Sequence, residues 1–160
     1  WHWYRGAGDG GSLGCRATGV SIVTSRHGDL VHGMTVSDFV SVSLEPPLVM
    51  VSASETANTL KFIRAGKCFA LNILCAGQEG LANLFAVKGN EDLRFDGLET
   101  DKAVTGAPLI QGAKVNLDCT LVAEHVAGDH VLCIGQVEHV NIRDLEPLVY
   151  YKGKYRDFAS

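Results

Sequence analysis

Val115-Asn116-Leu117-Asp118-Cys119-Thr120-Leu121-Val122-Ala123-Glu124 is the stretch on which the fold turns. Val115, Leu117, Cys119, Leu121 and Ala123 fall on one side of an extended chain. Asn116, Asp118, Thr120 and Glu124 fall on the other, with Val122 among them. An alternation of period two is the mark of a half-buried strand. Ala127-Gly128-Asp129 then supplies turn chemistry, and residues 131–140 run back as the hairpin partner.

Outward from this hairpin the chain repeats the same grammar. Val20-Ser21-Ile22-Val23-Thr24-Ser25 is short and β-branched, Arg26-His27-Gly28-Asp29 is a turn cluster, and residues 30–36 return as a second hairpin. A Ser-rich stretch leads to Pro46-Pro47, which stops any helix and introduces an apolar strand over residues 48–52. Ser54-Glu55-Thr56 reads as helix-start chemistry, Leu60, Ile63 and Arg64 follow Thr59 at helical spacing, and Gly66 is placed as the stop. Residues 67–74 read as a strand, residues 77–85 as a second short helix, and Leu148-Val149-Tyr150-Tyr151 as a last strand. At least six antiparallel strands with two short helices predict a closed or nearly closed barrel, because closure removes exposed strand edges. A β-sandwich is the alternative. No repeat of solenoid or propeller period is present.

The 160 residues, 46% hydrophobic and 20% charged, suit one globular domain. A chain of this size buries roughly 70% of its unfolded surface, so a core forms without disulfide or metal staples. Residues 1–13, Gly-rich and aromatic without periodicity, read as a flexible amino-terminal arm, with the domain over residues 14–160. Fourteen Lys and Arg against 18 Asp and Glu give a net charge of -4, which argues against a nucleic-acid partner. Apolar runs such as Leu48-Val49-Met50-Val51 fall far short of the roughly 20 residues of a membrane span. The amino end lacks the basic start and apolar core of a secretion signal, and its first residue, Trp1, reads as a trimmed or tagged terminus. Cys15, Cys68, Cys75, Cys119 and Cys133 are odd in number and form no C-x-x-C pair, which favours buried thiols over a disulfide framework. A reducing, cytoplasmic setting is therefore expected.

Several motifs fall away on context. Gly6-Ala7-Gly8-Asp9-Gly10-Gly11 spells a dinucleotide fingerprint, yet five residues before it cannot form the required central strand. The six His show no metal-ligand spacing; His125 and His130 flank the hairpin turn and read as solvent-side groups or as a pair that could share an ion. No G-x-S-x-G elbow is present, so hydrolysis is not indicated. The small hydroxyls of residues 33–43 and of Ser52-Ala53-Ser54-Glu55-Thr56-Ala57-Asn58-Thr59 are more informative. A helix N-terminus flanked by Ser and Thr can cradle a phosphate ester with few basic side chains. Ordinary strand polarity and N-capping account for the same residues equally well at this point.

Thr18-Gly19-Val20-Ser21-Ile22-Val23-Thr24, His32-Gly33-Met34-Thr35-Val36-Ser37 and Ser41-Val42-Ser43-Leu44-Glu45-Pro46-Pro47-Leu48-Val49 closely resemble the flavin reductase-like family. These are the NAD(P)H:flavin oxidoreductases of two-component monooxygenases. The resemblance continues through Phe69-Ala70-Leu71-Asn72-Ile73-Leu74, Gly106-Ala107-Pro108-Leu109, Gly128-Asp129-His130 and Gly135-Gln136-Val137, and spans residues 14–157. It implies a mainly β, FMN-binding split β-barrel of Greek-key type with short flanking helices. It also implies a homodimer with the flavin in a groove near the interface.

Carried over by position, Thr35, Val36, Ser37 and Asp38 would line the flavin ring, with Ser41, Val42 and Ser43 beside them. Ser52, Ala53, Ser54, Asn58 and Thr59 would hold the ribityl-phosphate end, and Phe85 would pack near the cofactor. His130 resembles the residue that faces the nicotinamide, and Tyr155 would bound that pocket. Asp38 departs from the small or neutral residue often found there, and a carboxylate would disfavour an anionic reduced flavin. The implied activity is hydride transfer from NADH or NADPH to FMN or FAD, supplying reduced flavin to a partner monooxygenase. A non-enzymatic flavin- or haem-binding split-barrel carrier or sensor is the rival reading, and a groove serving only protein contact is a third.

Overall fold

A computed structural model of the protein describes residues 14–37 and 39–158. In it β9 (Val115–Ala127) and β10 (His130–Ile142) form a long antiparallel hairpin, with register shifts at Ile134/Gly135 and Val137/His139. β2 (Ser21–His27) and β3 (Leu30–Val36) form the second hairpin, about the two-residue turn Gly28-Asp29 in which Gly28 takes φ 59°. A third joins β4 (Phe39–Leu44) to β5 (Pro47–Ser54). With β6 (Cys68–Ile73) they make one antiparallel seven-stranded sheet, in the order β3-β2-β6-β9-β10-β5-β4. Its edges, β3 and β4, are consecutive in the chain, so the sheet curls toward itself and stays split between them. This is the mainly β, split-barrel architecture expected from the sequence.

The barrel interior holds Val23, Val49, Val51, Ala53, Phe69, Leu71, Cys119, Val131 and Cys133. Helix α1 (Asn58–Gly66) adds Leu60 and Ile63, both fully buried, to the same cluster. Gly66 ends this helix as expected, for a reason of space: a Cβ there would lie 1.8 Å from the Arg26 carbonyl oxygen. The left-handed turn falls on the next residue, Lys67, at φ 54°. A second cluster, Val20, Ile22, Leu74, Ala82, Phe85, Ile110 and Leu148, packs on the other face of β2 and β6 beneath α2 (Glu79–Ala86). Covered on both faces, these two central strands are buried over most of their length, unlike the alternating strands around them. The short strands β1 (Thr18–Gly19), β11 (Val149–Tyr151) and β12 (Lys154–Arg156) form a small sheet beside them.

The period-two reading of residues 115–124 needs one correction. Asn116 and Asp118, assigned to a solvent face, are 1% and 0% exposed. The segment carrying β7 (Thr100–Asp101) and β8 (Leu109–Ile110) covers that face. The polar groups beneath are paired. Asn72 donates to Ile22 O and Thr24 Oγ1, each at 3.1 Å, and accepts from Ile110 N and Asn116 Nδ2, each at 2.8 Å. Asn116 Oδ1 accepts from Arg143 Nη1 at 2.9 Å, and Asp118 accepts from the backbone N–H and hydroxyl of Thr105. A buried amide with all four hydrogen-bonding positions filled pins three strands and the covering segment together.

The arm expected over residues 1–13, with its glycine motif, lies outside the described residues. The four cysteines Cys68, Cys75, Cys119 and Cys133 form no disulfide, as expected. Burial pushes the Cys119 thiol up to about 12 and that of Cys133 to about 11, which makes both inert packing groups. No helix among the described residues is long and apolar enough to cross a membrane.

Asn72→Ala orphans the Ile110 N–H and loosens Asn116, so it is expected to cost about 2–4 kcal/mol at roughly 1–3 kcal/mol per unsatisfied group. The measurement is a urea midpoint, which should fall with the slope unchanged.

Candidate functional site

A cleft of about 360 Å³ is bounded by β3, the start of α1, the end of α2 and the short turn Glu91–Leu93. Its lining includes His32, Met34, Thr35, Ser54, Thr56, Asn58, Thr59, Phe85, Lys88, Glu91 and Arg94. Phe85 forms the apolar floor, and Gly33 lets it in: a Cβ there would come within 2.8 Å of the Phe85 ring. Thr35 and Ala86 also line a second hollow of about 270 Å³ with Val20, Ser37, Asn83, Tyr150 and Tyr155. Thr35 and Ala86, common to both walls, make the two hollows neighbours, and together they border a groove-like face from α1 to the carboxyl-terminal strands.

At the α1 end the groove carries the charged side chains Lys88, Arg94 and Glu91 beside a helix N-terminus. Ala57 is the N-cap and supplies no side-chain cap, and no acid sits in the first turn. The helix-start assignment of Ser54-Glu55-Thr56 is thus corrected: Ser54 Oγ contacts Thr56 Oγ1 at 3.1 Å and accepts from Thr56 N at 3.4 Å, leaving α1 uncapped. Leu60 N donates to Ala57 O at 3.2 Å, and a first turn without a side-chain cap still presents the partial positive charge that an anion needs. Arg94 is 3% exposed, donates from Nη1 to Gly33 O at 2.6 Å and from Nη2 to Val87 O at 2.7 Å, and lies 5.9 Å above the Phe85 ring. Its Nε–H is buried without a partner. Burial lowers the Arg94 pKa, partly offset by Glu91 at 3.9 Å.

The structure brings together Thr35, Ser54, Asn58, Thr59 and Phe85 along this groove, with Ser37 and Tyr155 at its far end. Thr35 Oγ1 donates to Ala82 O at 2.6 Å, and Tyr155 Oη donates to Asn83 Oδ1 at 2.8 Å. Burial raises the Tyr155 pKa. Val36 packs against the barrel core, and the Ala53 side chain is 1% exposed within it, so neither side chain lines the groove. Ser41, Val42 and Ser43 lie on edge strand β4, and Ser52 is exposed on β5; none lines either hollow. Asp38 lies outside the described residues. His130 opens β10, pairs in register with Ser54, and contacts Asp129 Oδ1 through Nδ1 at 2.7 Å. That bond holds Asp129 below the usual carboxylate range. His130 is thus the cross-strand neighbour of Ser54 and lines neither hollow. His125 pairs with Leu132, and no metal-ligand group occurs among the described residues.

Residues 13–159 match the flavin reductase like domain. The chain belongs to the flavin reductase-like family. An NADH-dependent flavin reductase of Rhodococcus sp is 43% identical over 148 residues, 91% of this chain and 82% of the relative. The reductase component of 4-hydroxyphenylacetate 3-monooxygenase from Thermus thermophilus is 36% identical, over 88% of each chain. Among solved structures, the NADH:FAD oxidoreductase SgcE6 of Streptomyces globisporus C-1027, in complex with NAD and FAD fragments, superposes with TM-score 0.85 at 35% identity, over 92% of this chain and 89% of that one. The resemblance read from the sequence is thereby established, and with it an oxidoreductase rather than a carrier.

Three site residues of this flavin reductase escaped the sequence reading: His32, Glu91 and Arg94. Glu91 Oε2 accepts from Asn58 Nδ2 at 2.8 Å and lies 2.9 Å from His32 Nε2. Asn90-Glu91-Asp92-Leu93-Arg94 does carry a charged i,i+3 pair, a signal indistinguishable from a solvated turn. The Asn58 bond, then the His32 bond, hold the Glu91 carboxyl below its ordinary value. A lowered folded-state pKa gives stability that is present above the ordinary carboxylate range and lost as pH falls through the lowered value. Glu91→Gln is expected to lower Tm at neutral pH, with the gap from wild type closing below the ordinary value of 4.5; thermal unfolding across pH checks this.

Proposed function

We propose that this flavin reductase binds FMN or FAD along the groove, phosphate end at α1 and ring end toward Thr35, Ser37 and Tyr155, and reduces it with NADH or NADPH. The observation that carries this is the convergence of an uncapped helix N-terminus, the orphan Arg94 Nε–H and Lys88 at one end of a groove floored by Phe85. The residues fit a phosphate ester on an apolar-floored ring, and the groove falls in the volume range of ligand sites. When bound, the flavin supplies the hydride acceptor and the nicotinamide supplies the donor. The chain orients and shields: Ser54, Asn58 and Thr59 hold the phosphate end, while the backbone of Val36 and the side chains of Thr35 and Ser37 border the ring. Asp38 follows them in the chain. Tyr155 closes the ring end; His130, paired with Ser54 at the other end, takes the nicotinamide role only if the nicotinamide reaches across the groove, which the variant below tests. No strong acid or base is needed for hydride transfer, which suits a groove without a catalytic triad.

The domain proposed for this activity is residues 14–160. Reduced flavin passes to a partner monooxygenase, a reading supported by the monooxygenase component among the relatives. A homodimer is supported by the sheet's outer face. Register aligns Val40, Met50, Ile134 and Ala123 as one apolar row across β4, β5, β10 and β9, and Val42 and Leu44 on the same edge are 48% and 90% exposed. An apolar row beside an unpaired edge strand is covered in most soluble proteins. In this reading Ser41, Val42, Ser43, Ser52 and Ala53 make no side-chain contact with flavin inside one protomer. Cytoplasmic residence fits the buried, unoxidised Cys68, Cys119 and Cys133.

The test is anaerobic NADH consumption with added FMN or FAD. Flavin-dependent loss of NADH with matching bleaching of the flavin band is expected; intact NADH and NADPH with bound flavin would restore the carrier reading. His130→Ala should lower kcat for NADH oxidation more than flavin affinity, whereas equal loss of both would move His130 to the phosphate end, where it borders Ser54. Met50→Glu is expected to yield a monomer in sedimentation at concentrations where wild type is dimeric.

A further inference from the structure

His32 stands between two acceptor-capable neighbours, and their chemistry fixes its protons. The bonds from Asn58 and His32 hold the Glu91 carboxyl below its ordinary value, so it is a carboxylate with no proton to give and His32 Nε2 is the donor at 2.9 Å. The other ring nitrogen, Nδ1, is 2.7 Å from Thr59 Oγ1 in a buried contact. When the ring is neutral, Nδ1 is bare and the single Thr59 hydroxyl proton is donated to it. Thr59 then presents only lone pairs elsewhere. When the ring is cationic, Nδ1–H donates into Thr59 Oγ1, and the hydroxyl proton is free for another acceptor. Thr59 lies in the first turn of α1 and lines the groove where the phosphate end is placed.

We propose that His32 is a positioning residue that couples binding of the flavin phosphate to uptake of one proton: the phosphate binds the form in which His32 is imidazolium and the Thr59 hydroxyl donates into the groove. This rests on the reading that the phosphate end lies at α1. Two effects act in the same direction, since the switch turns a repelling lone pair into a donor and adds a positive charge behind it. Phe62, stacked on the His32 ring at 5.1 Å and 28°, holds the ring plane in both states. The charged groups around the ring are Glu91, Arg94 and Lys88 on the groove side, and Asp29, Lys61, Asp92 and Asp96 around the adjoining hollow. These carboxylate, ammonium and guanidinium classes do not ordinarily titrate between about pH 6.5 and 8.5, whereas imidazole does.

The experiment is titration calorimetry near pH 7.5 in buffers of unlike ionisation enthalpy, with FMN and with riboflavin, which lacks the phosphate. A phosphate ester's second ionisation lies near pH 6, so FMN itself is mostly dianionic there and takes up no proton at a cationic site. Wild type is expected to take up a substantial fraction of one proton with FMN and none with riboflavin. His32→Gln should abolish the uptake, and Thr59→Val, which keeps the imidazole, should reduce it. FMN binding about tenfold or more tighter than riboflavin with no proton taken up, or uptake retained in a folded His32→Gln, overturns the inference while the phosphate site stands. Equal affinity for FMN and riboflavin overturns the phosphate-end reading, and this inference with it.

Discussion

Only residues 37 and 38 separate the two edge strands of a seven-stranded sheet. Laid flat at the usual strand spacing, those edges would stand roughly 29 Å apart. The three peptide units from Val36 to Phe39 reach at most about 11 Å. The sheet therefore has to curl until β3 and β4 face each other, and the hydrogen-bond ladder stays open only there. Everything that distinguishes the site follows from this. The split is where a barrel can admit a ligand without breaking a ladder, and Thr35 and Ser37 flank it because they are the last residues before the link.

The curl also dictates how the rest of the wall is held. β2 and β6, opposite the exposed face, are covered by α2 on one part and by the segment around β7 and β8 on another. The covering segment has little regular structure, so its backbone groups need partners, and Asn72, Asn116, Asp118 and Thr24 provide them. A fully satisfied buried polar network makes one alignment of these strands cheaper than its slipped neighbours. That rigidity matters at the groove, since β2 carries β3 and α2 carries Phe85.

The hairpins were legible because alternation and turn residues are local: Gly28-Asp29 and Gly128-Asp129 turn where the sequence places them. Strand β4 goes unassigned from sequence although Val40, Val42 and Leu44 alternate with Ser41 and Ser43, because that stretch reads as a hydroxyl-rich surface and its apolar side turns outward on an edge strand. The burial of Asn116 and Asp118 was invisible for a related reason, since period two separates two faces without telling which is covered. At the site, the resemblance supplied Thr35, Ser54, Asn58 and Thr59, which lie in contiguous motifs. His32, Glu91 and Arg94 meet only because β3 and the turn after α2 converge, 59 residues apart in sequence for the His32–Glu91 pair. Ala53 was carried over with its motif, but neighbouring strand residues point to opposite faces, and its face is the core.

An acidic chain that binds an anion has to concentrate positive potential locally, and the groove does so mostly with partial charges. The α1 terminus without a side-chain cap, hydroxyls and a buried guanidinium meet in the α1-end hollow, where Glu91 also lines the wall and offsets the charge of Arg94. That balance is what a reductase needs if its reduced flavin is to leave for another enzyme: the groove must recognise the phosphate firmly enough to orient the ring and loosely enough to let it go.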